Sequence, residues 1–245
     1  MAFRKAALAC LSVATLFGGA RISMAAQLRV EPILLEMNAP AASGTLMLHN
    51  DGDTEIAVQT RVLRWSQADG KETLETTTDV VASPPIARLT PGGDYVVRVV
   101  RVSKQPVQGE ESYRVIVDQL PNFRLRKDRV VNLLIRQSIP VFFRNPQLSA
   151  PSVVWSFNNR DGKLFVLASN SGDERLRIAS LRLRDAAGLT VFFGNGLVGY
   201  VLGRSSMSWI VPSPQSNFGL SGSASITAQS DKGPINAVAQ ISDRR

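Results

Sequence analysis

Residues 132–146 read NLLIRQSIPVFFRNP. The run begins near Val130 and passes about fourteen residues without a turn signal, where strands of about five or six residues are usual. Apolar side chains occupy much of both alternating rows, and Arg136 sits in the middle. A strand facing one core and water would show one apolar row. Outward from this stretch, period-two alternation recurs in YRVIVDQL (113–120), YVVRVVRV (95–102), IAVQTRVLRW (56–65) and TLMLHN (45–50). The turn signals NDGD, ADG and PGGD separate these segments, and no window combines a sustained 3.6-residue period with a good helix composition. The predicted fold class is all-β, built as a sandwich of many short strands.

FFRNPQLSAPS (142–152) carries two prolines and polar punctuation, and the strand pattern resumes at VVWSFN. Shorter strands follow: KLFVLASN, RLRIASLRLRD, LTVFFGN, SASITAQS and INAVAQI. The expectation is a domain over residues 26–147 and a second over 148–245, with no clear internal repeat.

Residues 1–25 have the layout of a secretory signal peptide: Arg4 and Lys5, an apolar run from Ala6 to Phe17, then a Ser23-x-Ala25 site. That apolar run is too short to span a bilayer comfortably, so the chain is expected to be exported and not membrane-embedded. Cleavage after Ala25 removes Cys10, the single cysteine, leaving a core that must hold without disulfides. The remaining charge, 25 basic against 20 acidic residues once Arg4, Lys5 and Arg21 are removed, is spread along the chain. Without a clustered basic face and stacking aromatics, nucleic acid is excluded as a partner.

His49, the single histidine, has no cysteine or second histidine with which to hold a metal or activate a nucleophile. Glu110 and Glu111 are adjacent and would point opposite ways on a strand, which does not suit a glycosidase pair. FFGNGLVG (192–199) is glycine-rich but opens no helical pattern. The chain is read as a non-enzyme that needs no cofactor and no metal.

ASPPIARLTPGGDYVVRV (82–99), EESYRVIVDQLP (110–121) and IPVFFRNP (139–146), in that order, resemble the periplasmic pilus chaperones of the chaperone–usher pathway. GYVLGRSSMSW (199–209) resembles the divergent, archaic branch of that family. The resemblance spans essentially the whole mature chain. It implies two immunoglobulin-like β-sandwich domains in a boomerang arrangement, located in the periplasm. Its partners would be pilus or fimbrial subunits and an outer-membrane usher, and a free molecule could cap its own open edge as a dimer. The long strand at residues 130–144 would be lent to a subunit that lacks its last strand.

The donor side chains of the family fall on Val131, Leu133 and Ile135. The alternation leaves the other row, Val130 and Leu134, open as the one that meets the subunit, since a one-residue slip exchanges the faces. The resemblance also implies an interdomain charge cluster at Glu111, Arg144 and Asp231. The cationic positions with which the family anchors a subunit's C-terminal carboxylate fall on Leu34 and Pro140, neither of which can hold an anion. The expected substitute is Arg114 with Arg136, placed opposite each other if their strands pair about a turn near residue 125, with Arg98 and Arg101 next. A secreted fibre subunit or adhesin is the alternative reading. It would be expected to carry an N-terminal donor extension, where QLRVEPILLEM (27–37) instead opens directly on a strand pattern.

Overall fold

A computed structural model describes residues 28–121, 133–160, 163–212 and 223–241. All regular structure among them is β. The expected signal peptide and Val131 lie outside the described residues, as does Val130.

The first ten strands are β1 (Leu28–Glu31), β2 (Leu35–Asn38), β3 (Ser43–Asn50), β4 (Ile56–Ala68), β5 (Lys71–Thr76), β6 (Val80–Ser83), β7 (Ile86–Leu89), β8 (Asp94–Arg101), β9 (Glu110–Leu120) and β10 (Arg136–Arg144). They form two sheets, ordered β1-β3-β8-β6 and β2-β10-β9-β4-β5, with β7 added on β4. The chain crosses from the first sheet to the second at Pro32, between β1 and β2, where a proline cannot donate to a ladder. Alternation explains the packing. Leu46 and Leu48 on β3, Val97 and Val99 on β8, and Val115 and Val117 on β9 project into one core with Ile139, Val141 and Phe143 of β10.

The remaining strands are β11 (Val153–Arg160), β12 (Lys163–Asn170), β13 (Leu176–Arg184), β14 (Thr190–Phe192), β15 (Leu197–Val201), β16 (Ser205–Ile210), β17 (Ser223–Ser230) and β18 (Gly233–Ile241). They run β14-β13-β17-β18-β11-β12-β16, with β15 also on β13, around a second core that includes Trp155, Phe157, Ile178 and Leu183. The molecule is thus all-β, with two β-sandwich units.

Side chains of both units interlock. Trp65, Phe142, Tyr200 and Leu202 make a third apolar cluster, against which Leu34 packs. The buried Gln67 donates to the Tyr200 carbonyl at 2.9 Å and accepts from the Leu202 N–H at 2.9 Å. The β4–β5 hairpin turns on Asp69 (φ 53°) and Gly70 (φ 75°), as a two-residue turn with both central residues left-handed requires. Its tip reaches β16, where the Ser208 N–H and hydroxyl donate to the Gly70 carbonyl at 3.0 and 2.8 Å. A Cβ at Gly70 would stand 2.7 Å from the Ser208 hydroxyl, so both backbone conformation and contact favour glycine there.

Candidate functional site: an open strand edge above an interdomain cleft

β10 has two different environments along its length. Throughout, it pairs antiparallel with β9, from Arg136 opposite Asp118 to Arg144 opposite Glu110. On its other side β2 pairs with it only from Val141 to Arg144. The Gln119 N–H donates to the Ile135 carbonyl at 2.9 Å, so odd-numbered residues of β10 turn their backbone groups towards β9. Even-numbered residues turn theirs outward, and Arg144 duly accepts from the Ala39 N–H at 2.8 Å on the β2 side. Arg136 and Ser138 therefore present backbone donors and acceptors along an edge that no described strand covers. Pro140, which has no N–H to present, closes that edge where β2 takes over.

Side chains divide by the same parity. Odd residues of β10 from Ile139 enter the first core, while Phe142 joins the interdomain cluster. Ile135 shares the odd parity of the core row and is half-buried. Leu133 is 68% exposed and Leu134 46%. One described residue of each expected donor row, Leu133 and Leu134, is thus apolar and accessible just ahead of the strand.

The registers place Glu110, Ser112, Arg114, Ile116 and Asp118 of β9 opposite Arg144, Phe142, Pro140, Ser138 and Arg136 respectively. The expected face-to-face pair of Arg114 and Arg136 is not formed. Arg136 lies opposite Asp118, four residues from Arg114 along the same row, or about 13 Å at the rise of a strand. Asp118 takes both Arg136 and Arg61 (2.5 Å from the latter) as ion-pair partners. The like-charge conflict anticipated for Arg136 is thus absent, because an aspartate stands across the ladder.

Arg114 lies directly across from Pro140. Its guanidinium rests 3.8 Å from the centroid of the Trp65 ring, with Tyr200 of the second unit 6.0 Å away on the cleft side. Trp65 is held in place by donating its ring N–H to Glu72 at 2.9 Å. No carboxylate among the described residues forms an ion pair with Arg114, and burial lowers its affinity for its proton. Glu72 acts on Arg114 only at a distance, so this half-buried cation on an aromatic face, in an ion pair with no described carboxylate, is suited to receiving one.

Deeper in the cleft lies a buried ion network. Arg175, just ahead of β13 in the second unit, is clasped by Glu110 of β9 (2.5 Å) and Glu36 of β2, and its guanidinium lies 3.6 Å from the Phe142 ring centroid. Glu110 also accepts the Arg175 backbone N–H at 3.1 Å and has Arg144 at 3.4 Å. Arg144 in turn pairs with Glu174, which Lys232 approaches at 2.7 Å. The Glu110 side chain is 1% exposed and that of Arg175 2%. Burial pushes the Glu110 carboxyl up to about 7, with Glu174 and Asp231 adding to the rise against the pull of the Arg175 N–H and Arg144. Burial likewise brings Arg175 down to about 10.

Of the three residues expected in an interdomain cluster, Arg144 lies in this network. Asp231 is exposed and acts on it only at a distance, through Glu110 and Arg175. Glu111 lies elsewhere, because its neighbour Glu110 has the cleft parity and Glu111 has that of Tyr113 and Val115 in the first core. Glu111 pairs with Arg101 through two contacts of 2.8 Å and accepts the Tyr113 hydroxyl at 3.1 Å. That bidentate pair also explains Arg101, while Arg98 is exposed on the far sheet. Arg175, Glu174 and Glu36 were not singled out from the sequence.

Over residues 27–149 the sequence matches the family described as pili and flagellar-assembly chaperone, PapD N-terminal domain. The chain belongs to this family. Solved structures share its fold: the chaperone CsuC in complex with the tip subunit CsuE, from the archaic chaperone–usher Csu pili of Acinetobacter baumannii, is 23% identical with a TM-score of 0.69, covering 89% of this chain and 100% of that one. The SafB chaperone, solved with the SafA pilin of Salmonella enterica, gives 19% identity and 0.58 over 86% and 95% of the two chains. The Escherichia coli chaperone DraB gives 20% and 0.56 over 86% and 95%. A comparison with curated protein sequences found no match. Within the family pattern, Leu34 is occupied with interdomain packing and Pro140 is buried, so neither offers a charge to the cleft. Arg114 brings a cation to the place opposite Pro140 from the neighbouring strand.

Proposed function

We propose that this chain is a periplasmic, non-enzymatic chaperone of the archaic chaperone–usher type. It captures pilus or surface-fibre subunits by lending them a strand and passes them to an outer-membrane usher. The observation that carries this reading is the uncovered edge of β10 over Arg136–Pro140, standing beside the cleft that holds Arg114. A subunit strand laid along that edge would take up the outward backbone groups of Arg136 and Ser138. The apolar residues ahead of it would fill the subunit's groove, Leu133 and Ile135 with Val131, or Leu134 with Val130 if the other row turns inward. Leaving such an edge open is an aggregation hazard that natural proteins ordinarily cover. Its retention suits a partner that arrives transiently, or a second copy that caps it in the interval.

The subunit's C-terminal carboxylate would lie against Arg114, whose planar fork can grip both oxygens while its face stays on Trp65. Arg136, already engaged by Asp118, would contribute its backbone edge more than its charge. The network of Glu110, Arg175, Arg144 and Glu174, with the exposed Glu36 at its rim, would hold the two units at the angle the cleft needs. No ATP site or metal is required for exchange of one donated strand for another. Co-expression with small exported β-proteins, followed by pull-down, tests the reading. A 1:1 complex is expected. Failure to retain any such subunit, with the chain itself polymerising instead, would favour the fibre-component alternative.

A further inference from the structure

Most of the described arginines touch a carboxylate, and those that do not, apart from the ones on β13, stand singly: Arg98, Arg114 and Arg160. β13 is different. Arg177, Arg182 and Arg184 all project from its outer face, and none forms an ion pair among the described residues. Arg182 and Arg184 are exposed and stand two residues apart, about 7 Å along an extended strand. Arg182 lies over Phe192 of β14, its guanidinium 5.0 Å from the ring centroid.

The registers show what surrounds them. Across the ladders Arg182 faces Phe192 and Thr227, Arg184 faces Thr190 and Ser225, and Arg177 faces Tyr200. No acid enters this row from β14, β15 or β17, because the outward positions there are hydroxyl, amide or apolar. Exposed apolar side chains flank the cations: Phe192 at 39% and Leu197 at 53%. Arginines spaced two apart, in an ion pair with no described acid and beside exposed apolar residues, make a surface with a definite complement. In an extended chain alternate side chains point the same way, so two carboxylates separated by one residue would meet Arg182 and Arg184 together. Intervening or flanking apolar residues would cover Phe192 and Leu197.

We propose that the outer face of β13 and β14 is a docking surface for an acidic, extended polypeptide segment of a partner protein, separate from the β10 edge and its cleft. A membrane surface is the lesser fit, because fluid phosphates gain nothing from a fixed two-residue register of guanidinium groups, whereas alternating carboxylates do. The proposal does not depend on how a subunit is held.

The test uses the full chain and a fluorescent peptide of alternating aspartate and leucine, with a lysine–leucine peptide and phosphatidylglycerol vesicles in parallel. Binding of the acidic peptide that weakens with salt, and falls at least tenfold in Arg182→Glu/Arg184→Glu, is the expected result. Arg98→Glu/Lys104→Glu changes net charge equally and should leave binding within twofold. Both pairs are exposed, and circular dichroism checks that each variant is folded. Phe192→Ala reads the apolar share and should weaken binding severalfold. Equal loss in both charge-reversed variants would overturn the proposal in favour of unspecific attraction. Vesicle binding without peptide binding would overturn it in favour of lipid, and no binding of either would overturn it outright.

Discussion

Two arginines lie over aromatic rings in the same cleft, one enclosed and gripped by carboxylates, the other half-buried and gripped by none. Arg175 stands 3.6 Å from the Phe142 centroid and Arg114 3.8 Å from that of Trp65. Arg175 is clasped by Glu36 and Glu110, while Arg114 has no ion-pair partner among the described residues. Both have lost hydration, and an aromatic face returns only part of what water supplied. A buried cation whose anions come from the same chain is a joint. One that no carboxylate of its own chain grips is a receptor. The comparison therefore predicts opposite phenotypes for two residues with nearly the same stacking.

The largest effect belongs to the joint. Arg175→Ala strands the buried Glu110 across the interface, and removing one partner of a buried pair costs about 3–5 kcal/mol. Chemical denaturation should show a lowered midpoint for the variant, with the two units parting first and tryptophan emission from Trp65 shifting before the cores melt. A change below about 1 kcal/mol would mean that Arg175 is no joint, and the distinction between the two cations would fall.

Arg114→Ala should do the reverse. Stability should hold or rise slightly, because a desolvated, unpaired charge leaves the cleft. Subunit capture should weaken about 10–100-fold, the share of a hydrogen bond to a charged group worth about 1.5–3 kcal/mol. Arg114→Lys should recover only part of the affinity, since an ammonium lacks the planar fork that can lie on Trp65 and grip two oxygens at once. Isothermal titration with a purified subunit and with one ending in a C-terminal amide separates the carboxylate from the rest of the contact. If the amide binds wild type as tightly as the acid does, the receptor reading of Arg114 is wrong.

The joint should also respond to pH. Glu110 is held near 7, above the ordinary glutamate value of 4.5, so between those limits the folded state binds more protons than the unfolded one. The stability that this carboxyl contributes is full at low pH and is lost as pH rises through about 7. Melting temperature should accordingly fall between pH 5 and pH 8. Glu110→Gln, which keeps the shape and cannot titrate, should flatten that slope. An equally steep slope in the variant would assign the pH response to other groups.

The sequence made some of this legible and withheld the rest for identifiable reasons. Alternation alone announced the strands, because side chains of period two on both halves have no other packing solution. The punctuation of NDGD, ADG and PGGD marked turns that the structure contains, among them the hairpin at Asp69–Gly70. Glu110 and Glu111 show where reading by motif went astray: the motif pointed to Glu111, yet Tyr113, Val115 and Val117 put that row in the core and leave Glu110 to the cleft. The alternation that revealed the strand could have chosen between them. The pairing of Arg114 with Arg136 failed for another reason. It needed the centre of a turn that the sequence does not mark, and a ladder displaced by four residues on one strand keeps the same face while changing every partner. Arg175 left no such signal, since RLRIASLRLR contains several arginines and only the assembled interface shows which one is enclosed.

The smallest effect is expected at Arg136, the residue that most interrupts the apolar run. Its side chain is 67% exposed, and Asp118 keeps a second partner in Arg61 when Arg136 is removed. An exposed pair of this kind contributes about 0–1 kcal/mol, and less in salt. Arg136→Ala should therefore change stability by under about 1 kcal/mol and leave carboxylate recognition to Arg114. What it retains is the backbone of an open edge, which alanine supplies equally well. Replacement by proline instead removes the outward N–H, so Arg136→Pro should weaken subunit capture where Arg136→Ala does not. A loss of capture by alanine as large as that by proline would return the anchoring role to the side chain and make the two cations of the cleft three.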